Sequence, residues 1–461
     1  MTDTILGKWR KTMLDQLGQI VTGKTPPSNC KRCFGGTIPF VTPTDFDGRR
    51  IIDTTSRYLS EYGANVVGCL IPAGSVMVSC IGSDMGKAAI AGHDCVTNQQ
   101  INSIIVAGSV DPAFVYYNLS NRKAEIRHAA GGSAQPILNK SAFGRLEIHL
   151  PSLPEQQAIA CILGALDDKI ELNRRRCKTL EAMARAIFQS WFVDFDPVHA
   201  NARRRDITSR RRESSGETEQ NPRTGVRGSK ADTDDVSAFC LKPELAALFP
   251  DRFEDPPLGP IPAGWRVGTL AEVADNPRRG INADEIKLGT PYIALEHMPR
   301  KSITLADWST ADAIESNKFE FRRGEILFGK LRPYFHKVGV APVDGVCSTD
   351  ILVIVPKQPE WFGFCVGHFS SDAIIQHADR ASTGTKMPRT NWNDLARFEV
   401  VIPRREVAEL FSKQFKPMID RLHQGIQESR TLAALRDALL PKLISGELRV
   451  PDAERIVGRA T

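Results

Sequence analysis

Two short patterns in this chain could do chemistry. Gly18, Gly23, Lys24 and Thr25 fit GxxxxGK[ST], the loop whose backbone N–H groups and lysine cradle nucleotide phosphates. That chemistry needs a helix opening at the Lys-Thr pair. Here Pro26 and Pro27 follow at once, and Pro26 biases Thr25 away from helical backbone. No acidic strand end supplies a magnesium ligand, so nucleotide hydrolysis is set aside. Cys30 and Cys33 have the spacing of half a zinc site, which His93 and Cys95 could complete. The second half of the chain has no counterpart of this pair, and His93 and Cys95 lie at the approach to a strand. The two cysteines are therefore expected to be ordinary thiols in a loop, with no metal bound. No HExxH, GxSxG, glycine-rich cofactor loop or Asn/Asp-Pro-Pro-aromatic motif is present. No cofactor is expected, and the sequence reads as that of a binding protein.

The elements that must position any site come twice. Trp9, Arg10 and Leu14 return as Trp265, Arg266 and Leu270, and Gly74 and Val76 return as Gly324 and Ile326, 250 residues on. Pro136 and Asn139 return as Pro388 and Asn391, and Asp168, Ile170, Leu180 and Ile187 as Asp420, Leu422, Leu432 and Leu439, all 252 residues on. A repeat that nearly halves the chain implies two similar domains. In the first, apolar runs at 51–52, 66–67, 75–78, 88–91 and 101–106 predict strands, and 113–119 and 123–129 predict helices. In the second, 293–295, 325–328, 337–341 and 351–355 predict strands and 362–378 a helix. The fold class is α+β.

After each domain the apolar period changes from two to about three and a half. Ile159, Leu166, Ile170, Leu180 and Ile187 mark one seam, and Phe415, Leu422, Leu432 and Leu439 the other. Each run of about 35 residues predicts a helix roughly 50 Å long. The economical arrangement is an antiparallel pair centred near Asn173 and Gly425. The alternatives are that each helix packs on its own domain or serves a partner protein. Pro417 is expected to kink the second helix or begin a new one.

The expected boundaries are a first domain at 1–152, a helix at 153–197, a charged linker and connector at 198–263, a second domain at 264–403 and a helix with its tail at 404–461. Residues 201–235 combine Arg203 to Arg205 and Arg210 to Arg212 with acidic and small residues, which predicts a mobile tether. The net charge of +6 permits nucleic-acid binding without demanding it. No stretch reads as a signal peptide or a membrane span, and the ten cysteines do not read as a disulfide framework, so the cytoplasm is expected.

Several segments carry a resemblance. Residues 23–26 (GKTP), 34–40 (FGGTIPF), 131–136 (GGSAQP), 153–157 (LPEQQ), 190–196 (SWFVDFD) and 258–265 (LGPIPAGW), in this order and within a duplicated layout, resemble the specificity subunits of type I restriction–modification systems over nearly the whole chain. The resemblance implies two target-recognition domains separated by two long antiparallel coiled-coil helices with a pseudo-two-fold repeat. It further implies that each domain reads half of a split double-stranded DNA site. Two modification subunits would methylate adenine N6, and separate restriction/translocase subunits would translocate and cut. The chain itself would be non-catalytic.

On that reading, Lys and Arg supply phosphate contacts and a few polar side chains reach base edges. The candidates in the second domain are Lys330, Arg332, Tyr334, His336 and Lys337, with Arg278, Arg279, Lys386 and Arg389 as a second patch. The first domain is less basic and offers Lys24, Ser83, Lys87, Asn98, Gln99, Gln100, Ser133 and Gln135. Two other classes remain open: an enzyme acting alone on DNA or a nucleotide, and a coiled-coil scaffold whose domains bind protein.

Overall fold

The structure is a computed structural model describing residues 9–27, 29–82, 84–130, 136–216, 241–255, 259–312, 314–382 and 387–460. The chain forms two compact units, one made of Met1–Asn173 with Glu428–Thr461 and the other of Arg174–Gln427. The division falls inside both long helices, Leu153–Phe192 and Arg405–Ile444, each 40 residues. Their first residues lie 252 positions apart, the offset of the sequence repeat.

The first unit is built on a sheet in which Gly18–Thr22, Ile101–Val106, Val76–Ser79, Ala88–Ala91 and Ile51–Ile52 lie side by side in that order. A smaller sheet orders Tyr58–Leu59, Phe34–Val41, Cys95–Thr97 and Leu70–Ile71, its middle pair parallel with Phe40 opposite Val96. The second unit repeats both. Ala274–Asp275, Ile351–Pro356, Ile326–Gly329 and Val338–Val340 form one sheet. Ser309–Thr310, Pro291–Ile293, Gly345–Cys347, Lys318–Phe321 and Gly280–Ile281 form the other, again with a parallel middle pair. Arg10–Met13 pairs with Glu147–Leu150, and Arg266–Thr269 with Glu399–Ile402, so each domain closes on itself just before its long helix.

Local signals overrode two expectations. Residues 66–67 end a helix, Glu61–Val67, rather than forming a strand. The Ser60 hydroxyl accepts the Gly63 N–H at its start, and Gly68 takes left-handed backbone at its end. The predicted helix at 362–378 is two, Phe362–Phe369 and Asp372–Ala381, because Ser371 caps the second by accepting from the Ile374 N–H.

In the first unit the two long helices run antiparallel. Arg436 donates to Asp167 at 2.7 Å, and Asn173 donates to Glu428 at 2.8 Å. Ile159, Leu166 and Ile170 share one core with Leu432, Leu439 and Leu443, and with Phe114 and Phe143 of the domain. The buried Asn173 amide fixes the register, since a shift of one turn would strand it. The pairing is also antiparallel in the second unit, where Cys177 meets Leu422, and Phe188 and Trp191 meet Phe411. Ile187 and Phe415 join that core, whereas Leu180 is only half-buried. The helices therefore pack on each other and on their domains at once. Pro417 starts no new helix. It is exposed, and the helix Arg405–Ile444 runs on through it.

Of the stretch expected to be a mobile tether, 201–216 belongs to a helix, Asp196–Gly216, and 217–235 lies outside the described residues; in the connector that follows, Phe249 and Ile261 are buried. Cys30 and Cys33, expected as free thiols, are joined in a disulfide. Cys95 is buried in its strand, which pushes its thiol up to about 12, the wrong direction for a thiolate ligand. Among the described residues no group of three or more His, Cys, Asp and Glu is placed to hold a metal ion. No described helix is long and apolar enough to cross a membrane.

Two buried histidines make the second unit acid-sensitive. Burial lowers His423 to about 4, against the opposing pull of Asp420, and lowers His368 to about 3. Below pH 6.5 the unfolded chain takes up these protons while the folded one does not, so stability is full above pH 6.5 and is lost as pH falls toward 4. The His423 share is about 3 kcal/mol. Melting midpoints measured from pH 7 to pH 4 should fall, and fall less in His423→Gln. An equal fall in both proteins would show that His423 is not responsible.

Candidate nucleic-acid interface

Four segments converge at one end of the second unit: 276–279, 330–337, 348–350 and 388–391. The Lys330 N–H donates to the Asp350 carbonyl at 2.8 Å, and the Thr390 N–H to the Lys330 carbonyl at 3.1 Å. The Arg332 N–H donates to the Pro388 carbonyl at 2.8 Å, and Leu331 bridges to Arg389. Between these segments lies a cavity of about 420 Å³ lined by Asn276, Arg278, Lys330, Thr349, Arg389 and Asn391. Arg389 reaches Asp350 at 3.3 Å, leaving the group of three cations and one carboxylate net positive. Burial lowers the Lys330 ammonium, and neighbouring Arg389 and Arg278 add to that while Asp350 opposes it. Cations crowded in this way are relieved by an anion, and an exposed phosphate is a suitable one.

Not every basic residue of these segments faces that cavity. His336 is 3% exposed, with Nε2 at 2.9 Å from the Ser370 carbonyl and Nδ1 at 3.3 Å from Asp372. Its burial removes it from any surface contact and lowers its pKa, which corrects the expectation that it faces DNA. Lys337 donates to the Leu295 carbonyl at 2.5 Å, and Arg279 is paired with Glu325, so both are committed within the protein. Arg332 adopts left-handed backbone (φ 50°) with its guanidinium toward the Phe335 ring. Tyr334 stands half exposed at the tip. Lys386 lies outside the described residues.

The first unit has the same framework with different side chains. The Lys24 N–H donates to the Thr97 carbonyl at 2.9 Å, Thr25 bonds Gln99, and the Cys80 N–H donates to the Gln100 carbonyl at 2.7 Å. Ile81 bridges to Ile137 as Leu331 does to Arg389. Cys80, Gln100 and Ile137 thus stand where Lys330, Asp350 and Arg389 stand. The exposed groups here are Lys24 and Gln99, with Gln100 half-buried, while Asn98 is 9% exposed and bonded to Gln100. Lys87 is paired with Asp84 at 2.8 Å. Ser83, Ser133 and Gln135 lie outside the described residues. Gly23 has a structural role: a Cβ there would lie 2.1 Å from the Asn98 carbonyl oxygen, so only glycine lets the two turns touch. The Lys24 amide is spent inside the protein and no helix follows Thr25, so this segment is no nucleotide loop.

Residue reasoning missed Asn276, Thr349, Asp350 and Asn391. A signal for two of them existed, because Thr349 and Asp350 align with Gln99 and Gln100 in the repeat.

The sequence profile of the family described as type I restriction modification DNA specificity domain matches residues 7–182. The chain is 25% identical to the MjaIX specificity subunit of Methanocaldococcus jannaschii, over 98% of this chain and 96% of that protein. It is 24% identical to the HindI specificity subunit of Haemophilus influenzae, over 74% of this chain and 78% of the relative. The chain is thus similar to type I restriction–modification specificity subunits along nearly its whole length. Its fold agrees: a crystal structure of an S subunit from M. genitalium superimposes with a TM-score of 0.54 at 15% identity, covering 96% of this chain and 97% of that one. The two units share a backbone frame while differing in side chain at Cys80 and Lys330, Gln100 and Asp350, and Ile137 and Arg389.

Proposed function

We propose that this chain is the DNA-addressing subunit of a type I restriction–modification complex. Residues 1–152 and 264–403 are its two target-recognition domains, the paired helices are the spacer, and the whole acts in the cytoplasm. It is a non-catalytic recognition protein that binds a bipartite double-stranded site. Modification subunits then methylate adenine N6, and restriction/translocase subunits act on unmodified DNA. The observation that carries the reading is the twice-built frame of converging segments, which places Lys330, Arg278 and Arg389 round a cavity in one unit and carries Lys24, Gln99 and Gln100 in the other. Methylation mapping of the host genome with and without this gene tests it. Loss of one bipartite adenine motif is expected, and an unchanged methylome would end the proposal.

Arg278 and Arg389 are exposed at the cavity and suit phosphate rather than base contact. Replacing both with alanine should weaken binding to all duplexes alike and reduce the slope of log K against log salt by about two. Titrations at several salt concentrations measure this. An unchanged slope in a folded variant would remove both residues from the interface.

A further inference from the structure

The loop carrying Arg332 and Tyr334 is held in an uncommon backbone. Arg332 and His336 are left-handed, as is Lys301 in the neighbouring strap 300–304. Non-glycine residues persist in that conformation only where surrounding contacts fix it. The strap makes those contacts on the loop side: the Lys301 N–H donates to the His336 carbonyl at 2.9 Å, and the Arg300 guanidinium lies 4.0 Å over the Phe335 ring. The Val340 N–H also donates to the Ile303 carbonyl at 3.0 Å.

On its other side the strap is gripped by the first long helix. The carboxylate of Glu181, buried in the second unit, accepts from the Ser302 hydroxyl at 2.7 Å, the Ile303 N–H at 3.0 Å and the Thr304 hydroxyl at 3.2 Å. One turn on, Arg185 reaches Glu181 at 3.3 Å and donates to the Lys301 carbonyl at 3.2 Å. A buried carboxylate with three donors from one strap fixes that strap more firmly than apolar packing, because any shift leaves a charge unpaired. The helix pair itself does not require it, since the repeat partner of Glu181 on the second helix is Ala433. The first unit ties its equivalent segment to a helix with the opposite polarity, through Arg50 and Asp168 at 2.6 Å.

We propose that Glu181 is a positioning residue: through the strap 300–304 it holds the second unit's reading loop in the conformation that discriminates bases. The inference rests on reading that unit as a DNA-recognition domain. It implies that the spacer helix sets loop geometry as well as carrying the domain.

The test uses the full chain assembled with its modification subunits, as wild type, Glu181→Gln and Glu181→Ala. The glutamine variant keeps size and an acceptor, and so remains folded if the alanine variant does not. Binding is measured to duplexes bearing the mapped site and to duplexes with single base changes in either half. Discrimination should fall roughly tenfold at one half-site, the scale of one charge-assisted hydrogen-bond set, and stay unchanged at the other. Hydrogen exchange at the Phe335 and His336 amides, which bond within the loop, should quicken in the same variant. Equal discrimination in wild type and variant, or an equal fall at both half-sites, would overturn the proposal. If the wild-type complex binds no bipartite DNA, the recognition reading fails instead. The exchange experiment then still decides whether Glu181 fixes the loop, because unchanged protection would exclude it.

Discussion

Trp191→Ala should give the largest loss of stability of any single change in the second unit. The ring is 1% exposed, with its centroid 5.0 Å from that of Phe249 and 5.6 Å from that of Phe411. Phe192 lies beside it and meets Phe364 and Phe411 edge-on at 5.2 and 5.0 Å. These rings come from the first long helix, the second long helix, the connector and the domain, so the adjacent Trp191 and Phe192 together are where four segments of the unit meet. Removing a buried tryptophan costs about 3–5 kcal/mol, because the surrounding rings cannot collapse into the space. In a unit of this size the melting midpoint should fall by roughly 10 °C. Calorimetry gives the magnitude, and hydrogen exchange should show protection lost in strands Ile326–Gly329 and Ile351–Pro356. A shift of less than about 3 °C would mean that the rings repack, and the account of this core would be wrong.

Asp167→Ala should do comparable damage in the first unit by a different route. One carboxylate oxygen accepts from Arg436 at 2.7 Å, and the other from the Tyr117 hydroxyl at 2.6 Å. Arg436 comes from the second long helix and Tyr117 from the domain helix Pro112–Ser120, so this carboxylate joins three elements. Tyr117 is pushed well above the usual phenol range, first by burial and then by Asp167. The Asp167 side chain is 11% exposed and that of Arg436 26%, so deleting the anion takes the acceptor from the Tyr117 hydroxyl and leaves Arg436 with only the exposed Asp437, at 2.8 Å, as a carboxylate partner. Breaking a buried pair from one side costs about 3–5 kcal/mol, and the partial exposure of Arg436 places this case at the lower end. Replacing both members with apolar residues should recover much of the loss, since the pair leaves no buried charge behind and Asp437, which also meets Arg436, is exposed. A double variant, Asp167→Leu with Arg436→Met, as unstable as Asp167→Ala would show that packing rather than charge is at stake.

How much of this was legible beforehand follows from what kind of signal each feature leaves. The duplicated strands and the two seams could be read because alternation and heptad spacing are local patterns, and the constant offset of Leu422, Leu432 and Leu439 from Ile170, Leu180 and Ile187 tied them together. Even there, Ser60 and Gly68 turned an apolar pair into the end of a helix, because capping outweighed β-branching over so short a run. The candidate interface was read less well. His336 and Lys337 belong to one basic stretch and Arg279 to another, yet one is buried and the other two are spent on Leu295 and Glu325. Charge is visible in a sequence, whereas the group that engages it stands 42 or 46 residues away.

The sequence by itself determined the repeat, the α+β class, the two seams and the family resemblance, each of them carried by residue order and spacing. Tertiary structure alone decided which cations share a cavity. Arg278, Lys330 and Arg389 meet because three separate loops close on one another, and the Glu181 carboxylate reaches the strap 302–304 across 121 residues of chain. The physical reason is range. Periodicity and capping act within a few residues along the backbone. Burial, ion pairing and the orientation of a reading loop depend on side chains that only the closed fold brings within hydrogen-bonding distance.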